Sequence, residues 1–345
     1  LVSGAKISVK LVVLGGDRCG INLRLCAKTP VFLNGVVYAV YDYRYRRILY
    51  LAQSLSAATG SELEHVTRLC QRLEFFVAQP PLQVAALSQG ESNQSYYVKT
   101  SQGEYVLRCY PSDSAVCRQQ ELRCQHAAAA KGLAPAPLCL NNHYQVMLSD
   151  YIAAGVPFNY LQHGHAALVS ALSGFHLLPV QTAELDYHSY LQQLIDTLPA
   201  GNQANPALLR PLAQAATQLQ QLAADIVLCH LDLHAGNLLF ANNRLWLLDF
   251  EYSQRADSSL DLAAISLHFA LTPAQIHQLL TDYVSQRAEP ALLALLKQKL
   301  PLARQVYSGF CWLWYLALPN AEAQALHWQQ CLTQLVASAK AEQKL

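Results

Sequence analysis

Apolar residues along this chain follow two periods, and the period changes part-way. Residues 61–79, SELEHVTRLCQRLEFFVAQ, put Leu63, Val66, Leu69, Cys70 and Leu73 on one stripe at helical spacing. Ser61, with Glu64 three residues on, has the form of a capping box and marks the predicted start of that helix. The next stretch, PLQVAALSQGESNQSYYVKTSQGEYVLRCY, alternates instead and is punctuated by Gly90, Ser92, Asn93 and Gly103. It predicts a strand up to Leu87, a turn at 88–93, a strand at 94–100 and, past a hairpin near Gly103, a strand at 104–110. A helix over 115–130 and a strand pair within PLCLNNHYQVMLSDYI complete this β-rich part.

Past residue 160 the pattern is helical, over 164–177, 184–197, 206–224, 258–269, 273–287, 290–299, 301–318 and 321–340. The exception is 237–250, where two apolar runs flank Ala241-Asn242-Asn243 and predict a two-strand hairpin. The order is therefore α+β: a β-rich lobe with one helix, a connecting strand, then a helical lobe carrying one hairpin. The predicted domains are 61–152 and 153–345, preceded by an extension over 1–60. That extension holds short β-like runs, ISVKLVVL and GVVYAVYDY, without an evident partner.

Composition changes little in this picture. Apolar residues make up 52% and charged ones 14%, which describes an aliphatic globular chain. No run is long and apolar enough to predict a membrane span. Ten cysteines occur without a CxxC pair, so a metal finger is not predicted and free thiols in a cytoplasmic setting are. Charge is uneven. Residues 1–50 carry a net +6, leaving about −5 on the rest. The basic residues do not gather on one helical face, so no nucleic-acid partner is predicted. The chain begins at Leu1 and holds one methionine, Met147, so a start read too far upstream, or an incomplete sequence, accounts for the basic segment as well as any function does.

The candidate chemistry lies at 228–252, LCHLDLHAGNLLFANNRLWLLDFEY. Here His230, Asp232 and Asn237 form H-x-D-L-x-x-x-N, and Asp249-Phe250 follows twelve residues later. Phosphoryl transfer needs a base beside the acceptor hydroxyl and oxygen ligands for magnesium between the phosphates. Asp232 suits the first role, Asn237 and Asp249 the second. His230 suits bracing the loop better than moving protons. The competing reading is a buried strand pair in which Asp232 and Asn237 cap turns and Asp249 ends a strand.

This pattern resembles the small-molecule branch of the protein-kinase-like superfamily: aminoglycoside phosphotransferases, choline/ethanolamine kinases and thiamine kinases. Leu231 stands where protein kinases carry arginine, Asp249-Phe250-Glu251 stands for D-F-G, and A-P-E is missing. The D-F-E-Y ending is similar to choline and thiamine kinases, and HAGN at 234–237 to thiamine kinases most. The resemblance spans roughly residues 75 to 335 and implies a two-lobed kinase-like fold using ATP and Mg2+. It implies a phosphate loop at LSQGESNQSYYV, with Gly90, Ser92, Asn93 and Ser95 facing phosphate, and Arg108 in YVLR at the strand-lysine position. Arg118-Gln-Gln-Glu121 resembles R-x-x-E, which implies an Arg108–Glu121 pair. VMLSDYI matches the connector, with backbone near Leu148 to Asp150 taking the adenine edge. DSSLDLA resembles D-x-x-x-D-[IL]-A, which implies that Asp261 bonds the catalytic-loop backbone.

The implied activity is transfer of the γ-phosphoryl group to a small alcohol. Aromatics in YSGFCWLWYLAL, with Trp312 and Trp314 foremost, suit a cationic acceptor of thiamine or choline/ethanolamine type, or else are simply core. Glu251 and Asp257 would supply negative charge beside it. An aminoglycoside-type acceptor, and a non-catalytic nucleotide-binding module, are the alternatives. The complete set Arg108, Glu121, Asp232, Asn237 and Asp249 argues against the second. The acceptor's identity and the oligomeric state are not legible.

Overall fold

The structure is a computed structural model that describes residues 8–13, 36–42, 47–50, 60–87, 93–111, 116–200 and 204–342. The chain divides into two compact units, residues 1–113 with 139–148, and residues 114–138 with 149–345. The single cut expected after 152 is thus replaced by three crossings, after 113, 138 and 148, and the helix near 118–130 falls in the second unit. No helix among the described residues is long and apolar enough to cross a membrane.

The first unit opens with a three-stranded sheet, β1 (Ser8–Val13) parallel to β2 (Val36–Asp42), and β3 (Arg47–Tyr50) antiparallel to β2. Helix α1 (Gly60–Arg72) follows, beginning one residue before the Ser61 read as its cap. Then comes a five-stranded sheet of β4 (Gln83–Ala86), β5 (Gln94–Lys99), β6 (Glu104–Cys109), β7 (Pro137–Asn141) and β8 (Val146–Asp150), in spatial order β4-β5-β6-β8-β7. Alternation decides its two faces. Tyr96, Val98, Tyr105, Leu107, Val146 and Leu148 are buried with Val66, Cys70, Leu73 and Phe76 from α1 and the turn after it. Ser95 and Arg108, directly opposite one another across β5 and β6, fall on the alternate positions, away from that core.

The second unit starts with α2 (Arg118–Ala130) and continues through β9 (Val156–Pro157), α3 (Tyr160–His163), α4 (His165–His176), α5 (Tyr187–Asp196) and α6 (Pro206–Gln221). Asn205 caps α6, and Pro206 occupies its first turn, where a missing N–H costs nothing. Four short strands follow: β10 (Ile226–Cys229), β11 (Leu238–Ala241), β12 (Arg244–Leu247) and β13 (Gln254–Asp257). The unit closes with α7 (Ser259–His268), α8 (Pro273–Arg287), α9 (Leu292–Ala317) and α10 (Glu322–Glu342). Helix α9 is the axis, packed against α6, α7 and α10.

Two differences from the sequence pattern have clear causes. The helices expected at 290–299 and 301–318 are one helix, α9, with Pro301 inside it. An interior proline costs a helix about 3 kcal/mol, and burial of Leu296, Leu300, Ala303, Val306 and Phe310 on both sides of it outweighs that. Strands β10 and β13 are absent from the periodic reading. They span four residues each, and Gln254–Asp257 has no apolar alternation. Antiparallel pairing of Ile226 with Asp257 and Cys229 with Gln254 makes both of them strands.

Candidate active site

The β10–β13 pair delivers the chain to His230, and the hairpin β11–β12 brings it back. Asn242 and Asn243 sit at φ 53° and 56°, the left-handed pair that a two-residue hairpin turn requires. The hairpin register sets Leu238 opposite Leu247, and the Leu248 N–H donates to the Asn237 carbonyl at 2.9 Å. Asn237 and the segment running into Asp249 are therefore neighbours by backbone pairing.

Two residues of the loop take left-handed backbone without being glycine, Leu231 at φ 66° and Asp249 at φ 63°. Such conformations persist where surrounding bonds over-determine them. At Leu231 those bonds come from Asp261, buried at the start of α7. Its Oδ2 accepts from the His230 N–H at 2.7 Å and its Oδ1 from the Leu231 N–H at 2.8 Å.

His230 also braces the loop. Its Nε2–H donates to the Leu248 carbonyl at 2.9 Å, while Nδ1 is buried with no partner among the described residues. Burial lowers its pKa, against the pull of Asp261 and Asp232. A neutral ring committed to a carbonyl is a brace, so His230 leaves the set of groups that touch reactants.

Asp232 keeps 29% of its side chain exposed. The Asn237 Nδ2 donates to its Oδ2 at 2.6 Å and to its backbone carbonyl at 3.0 Å. Both acceptors lack protons, so the Asn237 amide orientation is determined and Oδ1 is turned away from Asp232. No donor among the described residues reaches Asn237 Oδ1 or Asp232 Oδ1. His234 flanks the same carboxylate. Its Nδ1 accepts from the Gly236 N–H at 3.1 Å, which leaves the proton on Nε2, 3.6 Å from Asp232 Oδ2. A Cβ at Gly236 would meet the His234 ring at 2.7 Å, so glycine lets the imidazole fold over the loop. Burial alone pushes the Asp232 carboxyl up, but the polar contact and charge of His234, with His230 and His268 behind, hold it below its ordinary range.

The model of the Phosphotransferase enzyme family matches residues 83–296, more than half of the chain. The chain belongs to that family. A thiamine kinase from Shigella boydii is 36% identical over 85 residues, 24% of this chain, and the matched stretch spans 27% of that relative's length. A choline kinase from Streptococcus pneumoniae shares the fold at a TM-score of 0.70 with 18% identity, over 79% of this chain and 99% of that one. A spectinomycin phosphotransferase solved with ADP and spectinomycin does so at 0.53 with 15% identity, over 80% of this chain and 98% of that one. The kinase-like fold, with a β-rich first part and a mostly helical second, is thereby shared with phosphotransferases of different acceptors.

The residues expected on the nucleotide side distribute as follows. Gly90 and Ser92 lie outside the described residues. Asn93 is buried at the start of β5, and Ser95 pairs across the sheet with Arg108. Glu121, on α2 in the other unit, is buried and accepts from Arg118 at 3.0 Å. Leu148 has its side chain in the core of the first unit. The Asp150 N–H already donates to the Ala136 carbonyl at 3.0 Å, so this amide is not open to an adenine edge.

The acceptor-side expectations need two corrections. Trp312 is 1% exposed and lies in the core, where helical spacing on α9 puts it. Asp257 is buried and fully engaged. It pairs with the buried Lys299, accepts from the Asp225 N–H at 3.0 Å, and takes the Ser259 hydroxyl at 2.6 Å and the Ser259 N–H at 3.1 Å at the start of α7. It has no capacity left for a substrate cation. Glu251 is near-buried and accepts from Arg118 at 3.3 Å, and Trp314 is half-buried with its ring edge-on to Tyr315.

Residues that sequence reasoning missed lie beside these. Burial pushes the Tyr190 phenol well up, and the nearby Cys311, Asp232 and Glu251 push the same way, so Tyr190 stands close to both carboxylates. Tyr252 lies beside Trp314, and its hydroxyl is raised by burial and by Glu251. His268 bonds the Tyr307 hydroxyl at 3.0 Å and packs on Trp328, and burial lowers its pKa to about 4. Tyr252 was legible as the residue after Glu251. Tyr190 carried no signal, because nothing in α5 marks one aromatic among its neighbours.

His176, Cys229 and Asp261 bring ligand-type atoms within 4.8 Å of one another in the interior. They are already committed. Both Asp261 oxygens hold backbone amides, His176 Nε2 bonds Asp261, and the Cys229 thiol, pushed well up by burial, donates to Ala256.

Proposed function

We propose that this protein transfers the γ-phosphoryl group of ATP to the hydroxyl of a small cationic alcohol. The single observation carrying the proposal is the Asp232–Asn237 arrangement. One carboxylate oxygen is fixed by the Asn237 amide, the other has no donor among the described residues, and the Asn237 oxygen is turned outward. Asp232 Oδ1 would accept the acceptor's proton as its oxygen bonds to the γ-phosphorus, and ADP would leave with the electron pair of the broken P–O bond. The low pKa of Asp232 keeps it ionised for that task.

The donor set fits magnesium. One amide oxygen from Asn237 and one carboxylate from Asp249 suit a hard cation that retains waters and binds phosphate oxygens. Such an ion would neutralise charge on the β- and γ-phosphates. On the first unit, Asn93, Ser95 and Arg108 are the proposed phosphate-handling residues, Arg108 through its planar fork. Glu251, Tyr190, Tyr252 and Trp314 favour a cation as acceptor, since aromatic faces and a carboxylate attract the same charge.

The test is magnesium-dependent ADP release with thiamine, choline, ethanolamine and kanamycin side by side. Turnover with one of the first three supports the proposal. Turnover with kanamycin alone makes the protein an aminoglycoside-type enzyme. ATP binding without turnover on any alcohol makes it a nucleotide-binding module.

A further inference from the structure

Arginine donates hydrogen bonds and accepts none, so a buried arginine gives direction to any chain of hydrogen bonds attached to it. Arg287, the last residue of α8, is held by two bonds to Asp225, at 2.8 and 3.0 Å. Its Nη1 also donates to the Tyr283 hydroxyl at 2.9 Å. That hydroxyl then directs its own proton to His176 Nδ1, 2.7 Å away. A ring accepting at Nδ1 carries its proton on Nε2, which lies 3.0 Å from Asp261 Oδ2. Asp261 closes the chain on the His230 and Leu231 amides. Tyr283 and Asp261 are 0% exposed and His176 3%, so water does not compete for the Tyr283–His176 and His176–Asp261 links. Burial raises the Tyr283 pKa, so the phenol keeps the proton it donates.

We propose that Tyr283 and Arg287 are positioning residues for Asp232. The directed chain Arg287 to Tyr283 to His176 to Asp261 clamps the His230 and Leu231 amides and holds the left-handed backbone from which Asp232 projects. Its effect on turnover rests on the phosphotransferase reading, whereas the clamp itself does not. The neighbouring Cys229 thiol takes no part, because it donates to the carbonyls of Ala256 and Asp257 at 3.5 Å.

Three variants of the full chain test this. Tyr283→Phe keeps the ring and removes one hydroxyl. His176→Gln keeps a donor and an acceptor on one planar group and can carry the chain. His176→Leu fills space and carries nothing. Hydrogen exchange at the His230 and Leu231 amides is measured, with kcat and KM for ATP using the best acceptor of the screen. Tyr283→Phe and His176→Leu are expected to exchange those amides about tenfold faster and to lose about tenfold in kcat, with KM for ATP little changed. His176→Gln is expected to stay within about threefold of the parent in both. Unchanged exchange in both Tyr283→Phe and His176→Leu overturns the clamp. Faster exchange with unchanged kcat overturns the positioning role. Absence of turnover in the parent enzyme sinks the phosphotransferase reading, and the exchange rates still decide the clamp.

Discussion

The loop at 230–237 has acids on both of its sides, and the two sides treat them oppositely. Behind it, Asp257 and Asp261 are buried and Asp225 nearly so, and the three are paired with Arg287, Lys299 and His176 together with backbone amides. In front, Asp232 is partly exposed, is held at one oxygen by a neutral amide, and keeps the other oxygen without a donor among the described residues. A carboxylate closed in by donors holds structure, because its charge is fully offset. One held at a single oxygen retains capacity for a proton. The same residue type thus does different work according to how many donors surround it.

The sharpest way to break this contrast is Asp232→Asn. It is expected to lower kcat by about 10²–10⁴ with little change in thermal stability, read by coupled ADP release and a melting curve. A comparable loss of stability would move Asp232 into the structural group. Lys299→Met is the mirror experiment. It leaves Asp257 buried and uncompensated, and denaturant unfolding should show a loss of about 3–5 kcal/mol. An unaltered midpoint would mean that the pair is dispensable and the rear acids are not structural.

Smaller effects refine the front. Asp249→Asn is expected to raise the magnesium concentration needed for half-maximal turnover more than it changes the KM of the acceptor, and equal changes would argue against a metal role. Trp314→Leu should raise KM for a cationic acceptor about 5- to 30-fold, the scale of one cation–π contact of about 1–2 kcal/mol. A neutral alcohol acceptor weakened equally would show that Trp314 only packs.

The last effect concerns pH. His268 has a folded pKa of about 4 against an ordinary 6.5, so the unfolded chain takes up the proton first. Its contribution to stability is complete above pH 6.5 and is lost as pH falls towards 4. Melting temperature should therefore fall more steeply between pH 7 and 4.5 in the parent than in His268→Phe, and parallel slopes would show that burial does not hold the ring neutral.

Much of this molecule was legible from local pattern. The strands at 94–100 and 104–110, the hairpin around Asn242-Asn243 and, α9 apart, the helices from α4 to α10 follow from period and turn chemistry, which act over a few residues. The spacing of Asp232, Asn237 and Asp249 was likewise a local fact, and so was the aromatic content of α9. Which of those aromatics is core, and which acids are spent, depended on partners far along the chain. His176 meets Tyr283 across 107 residues and Asp261 across 85, and Asp225 meets Arg287 across 62. No periodicity encodes such pairs. Only the packing of α7, α8 and α9 around β10 and β13 decided that Asp257 holds a buried lysine and that a leucine before Asp232 stands in left-handed backbone.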